Sequence, residues 1–164
     1  TVNLMDTDAF VAAFGDIAEH SPWVAEAAAA RRPFVNREAM IAAFQAAIGE
    51  AGVDSQQDLL RAHPDLAGRA AVAGELTEDS AREQAGAGLD RLTAEEFDRF
   101  TRLNAAYRAR HGIPFILAVR GATKHDILAA FEARVGNDRD AELVAALEQV
   151  CHIVRFRLED RVAG

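Results

Sequence analysis

Apolar residues recur at three- and four-residue steps along nearly the whole chain, and this helical periodicity constrains the fold more than any other feature. The exception is Ile113-Pro114-Phe115-Ile116-Leu117-Ala118-Val119, an apolar run interrupted by proline. No second run of strand character exists to pair with it, and an isolated strand would leave its backbone unsatisfied. The run is therefore expected to be an extended or partly helical buried segment. The expected fold is all-α, a helical bundle of about eight helices forming a single domain over residues 1–164.

Start and stop signals divide the chain. Asp6 or Thr7 caps a first helix with Phe10, Phe14 and Ile17 on one face. Ser21-Pro22 reads as the cap and first position of a second, reaching Arg31. Asn36 caps a third, reaching Ala51, whose stripe is Met40, Ile41, Phe44 and Ile48, with Gly52 beyond. A short helix Gln56–His63 is stopped by Pro64. Residues 65–75, with two glycines and several alanines, read as a compact, partly helical loop. Thr77 or Ser80 opens a helix to Ala87. Thr93-Ala94-Glu95-Glu96 fits a capping box for a helix to His111, stopped by Gly112; Phe97, Phe100, Leu103 or Asn104, and Tyr107 share a face. Thr123 with Asp126 caps another helix, ended by Gly136-Asn137, and the last runs from Asp138 to Val162.

Composition excludes several classes of function. The formal net charge of −8 disfavours nucleic acid and anionic membrane surfaces as partners. One cysteine, Cys151, allows neither an internal disulfide nor a cysteine-based zinc site, and suits a reducing cytoplasm. No apolar run approaches the ~18 residues of a membrane span. The first residues lack the basic-then-apolar pattern of a signal peptide, and the last three, Val162-Ala163-Gly164, are not a peroxisomal address. A cytoplasmic location is expected.

Three polar features stand out. His63 lies in Arg61-Ala62-His63-Pro64-Asp65-Leu66, an odd composition for plain packing. Histidine gives and takes protons near neutrality, and proline fixes the backbone beside it. A packed or capping histidine is the plain alternative. Ser80, Glu83 and Gln84 have i, i+3, i+4 spacing, which gathers a hydroxyl, a carboxylate and an amide on one helical face. They offer donors and acceptors to a small polar heterocycle, or form an exposed polar face with Ser80 as a cap. In the last helix the stripe Leu143, Leu147, Val150, Val154 continues into Arg157 and Arg161, whereas Arg155 faces away. An inward-pointing guanidinium needs an anion, which is either an Asp or Glu of the chain or a substrate carboxylate. His20, His111, His125 and His152 are weaker candidates, and no metal-binding motif, phosphate loop or nucleophile elbow is present.

Together these segments resemble one family, the decarboxylases of urate breakdown that act on 2-oxo-4-hydroxy-4-carboxy-5-ureidoimidazoline (OHCU). The resemblance rests on Glu19-His20-Ser21-Pro22-Trp23-Val24, Ala62-His63-Pro64-Asp65-Leu66 with Gly68, and Ser80, Glu83, Gln84, Gly88 and Leu89. It continues through Leu103, Asn104 and Tyr107, His111-Gly112-Ile113-Pro114-Phe115-Ile116, Val119-Arg120-Gly121 and Phe156-Arg157-Leu158, in the family's order. It implies a cofactor-free, metal-free carboxy-lyase, a homodimer, that forms (S)-allantoin from a small-molecule substrate. It also implies that His63 is the catalytic histidine in proton transfer, with Glu83 and Arg157 as its main partners. Pro64, Ser80 and Gln84 would help hold the substrate, and backbone groups of Phe115, Ile116 and Leu117 would meet its ureido end. The chain departs from the family pattern at Ala67, which precedes Gly68 where glycine is usual, and at Ile113, where phenylalanine is usual. The rival readings are a non-catalytic helical binding or regulatory module, and a metal-dependent hydrolase using His63, Asp65 and another histidine.

Overall fold

The computed structural model describes residues 1–68, 71 and 73–164. After a 3₁₀ turn at Val2–Leu4 come α1 (Thr7–Phe14), α2 (Trp23–Ala29), α3 (Arg37–Gly49), α4 (Val53–Arg61), α5 (Glu78–Gly86), α6 (Ala94–His111), α7 (Lys124–Val135) and α8 (Arg139–Arg161). The fold is all-α: the described residues contain no strand. None of their helices is long and apolar enough to cross a membrane. The chain forms two compact units, Thr1–Ala62 with Val150–Gly164, and His63–Gln149.

In the first unit, Phe10 gathers Phe14 and Phe44 at ring separations of 5.0 and 6.1 Å. α1 packs on α2 and α2 on α3. The C-terminal stretch of α8 runs antiparallel to α3. Arg37 donates to the carbonyls of Glu159 (3.4 Å) and Val162 (3.0 Å), Arg155 grips Glu38, and Gln45 reaches the Cys151 carbonyl at 3.2 Å. Val150, Val154 and Leu158 are completely buried.

In the second unit, α6 packs on α7. Phe115 and Phe131 stack at 4.0 Å, and Tyr107 meets Phe115 edge-on at 5.3 Å. The segment 113–119 has no helix or strand and is buried over most of its length; the burial is as expected, the partial helix is not seen. Side chains satisfy part of its backbone in place of a partner strand. Arg134 Nη1 donates to the Ile116 carbonyl at 2.8 Å, and Gln149 Oε1 accepts from the Ala118 amide at 3.0 Å.

Most helix starts lie where local chemistry puts them. Asp6, Asn36, Thr77, Thr93 and Thr123 each accept a first-turn amide, and Thr93 and Thr123 form complete capping boxes. Gly112 ends α6 in the left-handed region at φ 71°. Three expectations need correction. The second helix starts at Trp23 with Pro22 as its cap, and the Ser21 hydroxyl donates to the Glu19 carbonyl at 2.9 Å. The short helix spans Val53–Arg61 rather than Gln56–His63. Its end falls at Ala62 because Pro64 disfavours helical geometry at the residue before it. In α8 the inward face is Glu142, Ala146, Val150 and Val154, with Leu143 and Leu147 only half-buried. The compact loop expected over 65–75 falls partly outside the described residues.

Candidate functional site

His63 emerges directly after α4 and is 6% exposed. Pro64 fixes the backbone on its C-terminal side. The next residues make a tight turn in which Ala67 adopts φ 53°, a left-handed conformation that L side chains adopt rarely. A side chain at Gly68 would bring its Cβ within 2.6 Å of the Asp65 Cβ. The departure from the family pattern at Ala67 thus falls at a strained position, while Gly68 is sterically required.

Two helices hold this turn. From α5, Gln84 accepts the Ala67 amide on Oε1 (2.9 Å) and donates from Nε2 to the Asp65 carbonyl (3.3 Å). From α6, Asn104 Nδ2 donates to the Leu66 carbonyl at 3.0 Å, and Arg108 Nε meets the Asp65 carboxylate at 3.1 Å. Ser80, Glu83 and Gln84 share one face of α5, set by the Thr77 cap; Ser80 and Gln84 are buried and Glu83 is half-buried. The predicted polar face of α5 therefore meets the chain just after His63, through Gln84. Much of the Gln84 amide is committed to that turn, which adds a structural task to the substrate contact expected of it.

Phe115 and Ile116 are buried and Leu117 is half-buried. A charged cluster locks this segment. Glu142, 1% exposed, accepts from the Tyr107 hydroxyl (2.6 Å), Arg134 Nε (2.9 Å) and Asn137 Nδ2 (3.0 Å). Burial alone would raise the Glu142 carboxyl, but the Tyr107 and Asn137 hydrogen bonds and the Arg134 charge outweigh it and hold it below the usual carboxylate value. Burial, then the Glu142 hydrogen bond, hold the Tyr107 phenol well above its usual value. Arg134, fixed over the Phe115 ring at 4.5 Å, keeps the Ile116 carbonyl occupied.

Arg157 belongs to the first unit, where it is 2% exposed. Its Nη2 pairs with Glu19 Oε1 at 2.9 Å and its Nη1 donates to the Ile17 carbonyl at 3.2 Å. The anion demanded by an inward guanidinium is thus Glu19, itself 1% exposed. Arg161 pairs with Asp16 nearer the surface. Among the other histidines, His125 and His152 are exposed, and His20 is exposed at φ 47°. His111, expected merely to suit its helix dipole, is fully buried with Nε2 donating to the Val135 carbonyl at 3.1 Å.

Sequence reasoning missed Glu19, Arg134 and Glu142 as structural partners. The one available signal was a carboxylate at 142, in step with Ala146, Val150 and Val154. A cleft of about 660 Å³ in the second unit has a largely apolar lining that includes Ala67, Leu76, Gln84, Leu89 and Phe97. His63, Ser80 and Glu83 are not among its lining residues.

A family model described as OHCU decarboxylase matches residues 3–159. A 2-oxo-4-hydroxy-4-carboxy-5-ureidoimidazoline decarboxylase of Haloferax volcanii is 44% identical over 163 residues, covering 99% of this chain and 95% of that protein. The crystal structure of (S)-allantoin synthase superimposes with a TM-score of 0.77 at 35% identity, over 98% of this chain and 52% of that one. A crystal structure of OHCU decarboxylase in the presence of (S)-allantoin matches with a TM-score of 0.74 at 17% identity, over 96% of this chain and 98% of that one, a likeness of fold.

Proposed function

Because the chain belongs to the OHCU decarboxylase family, we propose that it converts 2-oxo-4-hydroxy-4-carboxy-5-ureidoimidazoline to (S)-allantoin and carbon dioxide in urate degradation, with His63 as the proton-transfer group. The observation that supports the residue assignment is a buried imidazole at a helix end, followed by a proline and by a turn pinned from two helices. Such fixation holds a general acid or base in one geometry, which is what efficient proton transfer requires.

The substrate carries its carboxylate and a hydroxyl on one ring carbon, next to a carbon doubly bonded to nitrogen. As the carbon–carboxylate bond breaks, its electron pair forms a double bond to the neighbouring carbon, and the imine pair moves to nitrogen, which takes a proton. Carbon dioxide leaves and an enol remains. The enol loses its hydroxyl proton and gains one at the ureido-bearing carbon; delivery to one face gives the (S) product. The substrate supplies its own electron sink, so this route needs no pyridoxal, thiamine or metal.

In this reading His63 handles the proton of the hydroxyl-bearing centre, and Glu83 orients ring N–H groups. Pro64, Ser80 and the remaining Gln84 donor help hold the ring, while the backbone of Phe115, Ile116 and Leu117 meets the ureido end. With the Ile116 carbonyl taken by Arg134, its amide and the groups of the two flanking residues are the stronger candidates. Arg157 contacts a substrate oxygen. Its pairing with Glu19 favours a ring or ureido oxygen over the carboxylate. A tight ground-state grip on the carboxylate slows decarboxylation, and the Glu19 charge opposes such a grip. The protein is proposed to act in the cytoplasm as a homodimer, which sedimentation at the monomer mass would exclude.

The test generates OHCU from urate with the upstream enzymes and follows optical rotation. The protein should accelerate the appearance of (S)-allantoin, and racemic product at the spontaneous rate would defeat the function. His63→Ala should lower kcat by about 10²–10⁴-fold. A folded His63→Ala protein with full activity would defeat the assignment while leaving the function standing.

A further inference from the structure

Asn104 lies within α6 and is 7% exposed. Asparagine is a poor helix former, and the carboxamide is only half satisfied: Nδ2 donates to the Leu66 carbonyl at 3.0 Å, while Oδ1 is buried with no hydrogen-bond partner among the described residues. For stability alone an apolar side chain would serve this position better, since a half-satisfied buried polar group is less favourable than none. What asparagine supplies and leucine cannot is the hydrogen bond to Leu66. That carbonyl lies three residues beyond His63. Pro64 intervenes with its φ locked, so few free torsions separate Leu66 from His63, and a shift at Leu66 is transmitted to the imidazole. Gln84 fixes the flanking groups, the Asp65 carbonyl and the Ala67 amide, and Ala67 is strained at φ 53°. The turn therefore keeps its shape only while side chains hold it.

We propose that Asn104 is a positioning residue for the reaction: its carboxamide, acting through the Leu66 carbonyl, sets the place of the His63 imidazole. This rests on the reading of His63 as the proton-transfer group. Loss of the Nδ2 donor should disturb the Pro64 contact but leave the substrate contacts of Ser80, Glu83, Gln84 and the 115–117 backbone, and with them most of the binding, intact. It should misplace the proton-transfer group, an error that costs up to about 100-fold in rate when reacting groups shift by an ångström.

The experiment compares Asn104→Ala and the isosteric Asn104→Asp, each alone and combined with His63→Ala. Each single variant should lower kcat by about 10- to 100-fold with KM within about two-fold of wild type. In the His63→Ala background the same substitution should lower kcat no further, as expected of two residues acting as one unit. The NMR titration of the His63 Cε1–H signal should move in both single variants, while those of exposed His125 and His152 stay put. Full kcat in a folded variant, equal fold-losses in both backgrounds, or a rise in KM alone would overturn the proposal. So would failure of both variants to fold, which would make Asn104 structural. If His63→Ala itself retains full activity, the proton-transfer reading fails on its own. The His63 titration then still decides whether Asn104 positions the imidazole, and an unmoved signal says it does not.

Discussion

Glu19 and Arg157 are both almost completely sequestered, at 1% and 2% exposure, and each makes the other's burial tolerable. The Ile17 carbonyl takes a second guanidinium donor, so the pair is hydrogen-bonded as well as neutral. Removing one charge from such a pair strands the other in a poorly solvating interior, and that loss exceeds the net worth of the intact pair. Glu19→Gln keeps the shape and an acceptor oxygen but removes the countercharge, and should cost about 3–5 kcal/mol of stability. Urea unfolding measures it, and a loss below about 1 kcal/mol would mean that Arg157 is neutralised elsewhere. The residue scale also shows why half of this pair was readable in the sequence. Arg157 falls on the apolar stripe of its own helix, a pattern confined to neighbouring turns. Its partner lies 138 residues away, and no local spacing selects Glu19 over the other acidic residues. The same holds at Asn104, which periodicity left level with Leu103 as the inward residue of α6. Only the tertiary fold, with Leu66 thirty-eight residues earlier in the chain, decides for Asn104.

Helix starts depend on atoms a few residues apart, which is why Asp6, Asn36, Thr93 and the Thr123–Asp126 pair were legible while the end of α4 and the inward face of α8 were not. The α4 end reflects competition between local helix propensity and a proline two positions beyond its C-cap. The α8 face is rotated by Glu142, which tertiary hydrogen bonds pull inward in place of Leu143. At the start of α6 the local chemistry carries a pH signature. The Glu96 carboxylate accepts from Lys124 Nζ at 2.8 Å and from the Thr93 amide at 2.9 Å, and these bonds, in that order, bring its pKa down to about 2. The folded value lies below the ordinary 4.5, so the native state binds this proton less readily than the unfolded chain. The stabilisation is therefore fully present above the ordinary value and lost as pH falls toward 2. Glu96→Gln should melt below wild type above about pH 5, with the difference in Tm shrinking through this range and vanishing near its lower end. A difference that stays constant across the range would show that the cap acts without its charge.

The first unit joins Thr1–Ala62 to Val150–Gly164, so to the packing of α1, α2 and α3 on one another it adds a stretch of α8 distant in sequence. That organisation was beyond sequence reading, because periodicity reports which face of a helix turns inward but not which helix it meets. Its physical content lies along the antiparallel meeting of α3 with the end of α8. There Arg37, Glu38 and Gln45 bond Glu159, Val162, Arg155 and Cys151. The Arg155–Glu38 pair is at the surface, where ion pairs contribute little, so the apolar residues of the terminal helix provide most of the closure. Leu158 is completely buried one turn before the helix ends. Leu158→Ala removes most of that side chain and leaves a cavity, which should cost about 2–5 kcal/mol. If the C-terminal stretch closes this core, the effect should appear far away in sequence: amide exchange of Ile41, Phe44 and Ile48 in α3 should accelerate by the factor that matches the measured loss of stability. Unchanged exchange in α3, with acceleration confined to the last turns of α8, would mean that the chain end frays without opening the unit it helps to build.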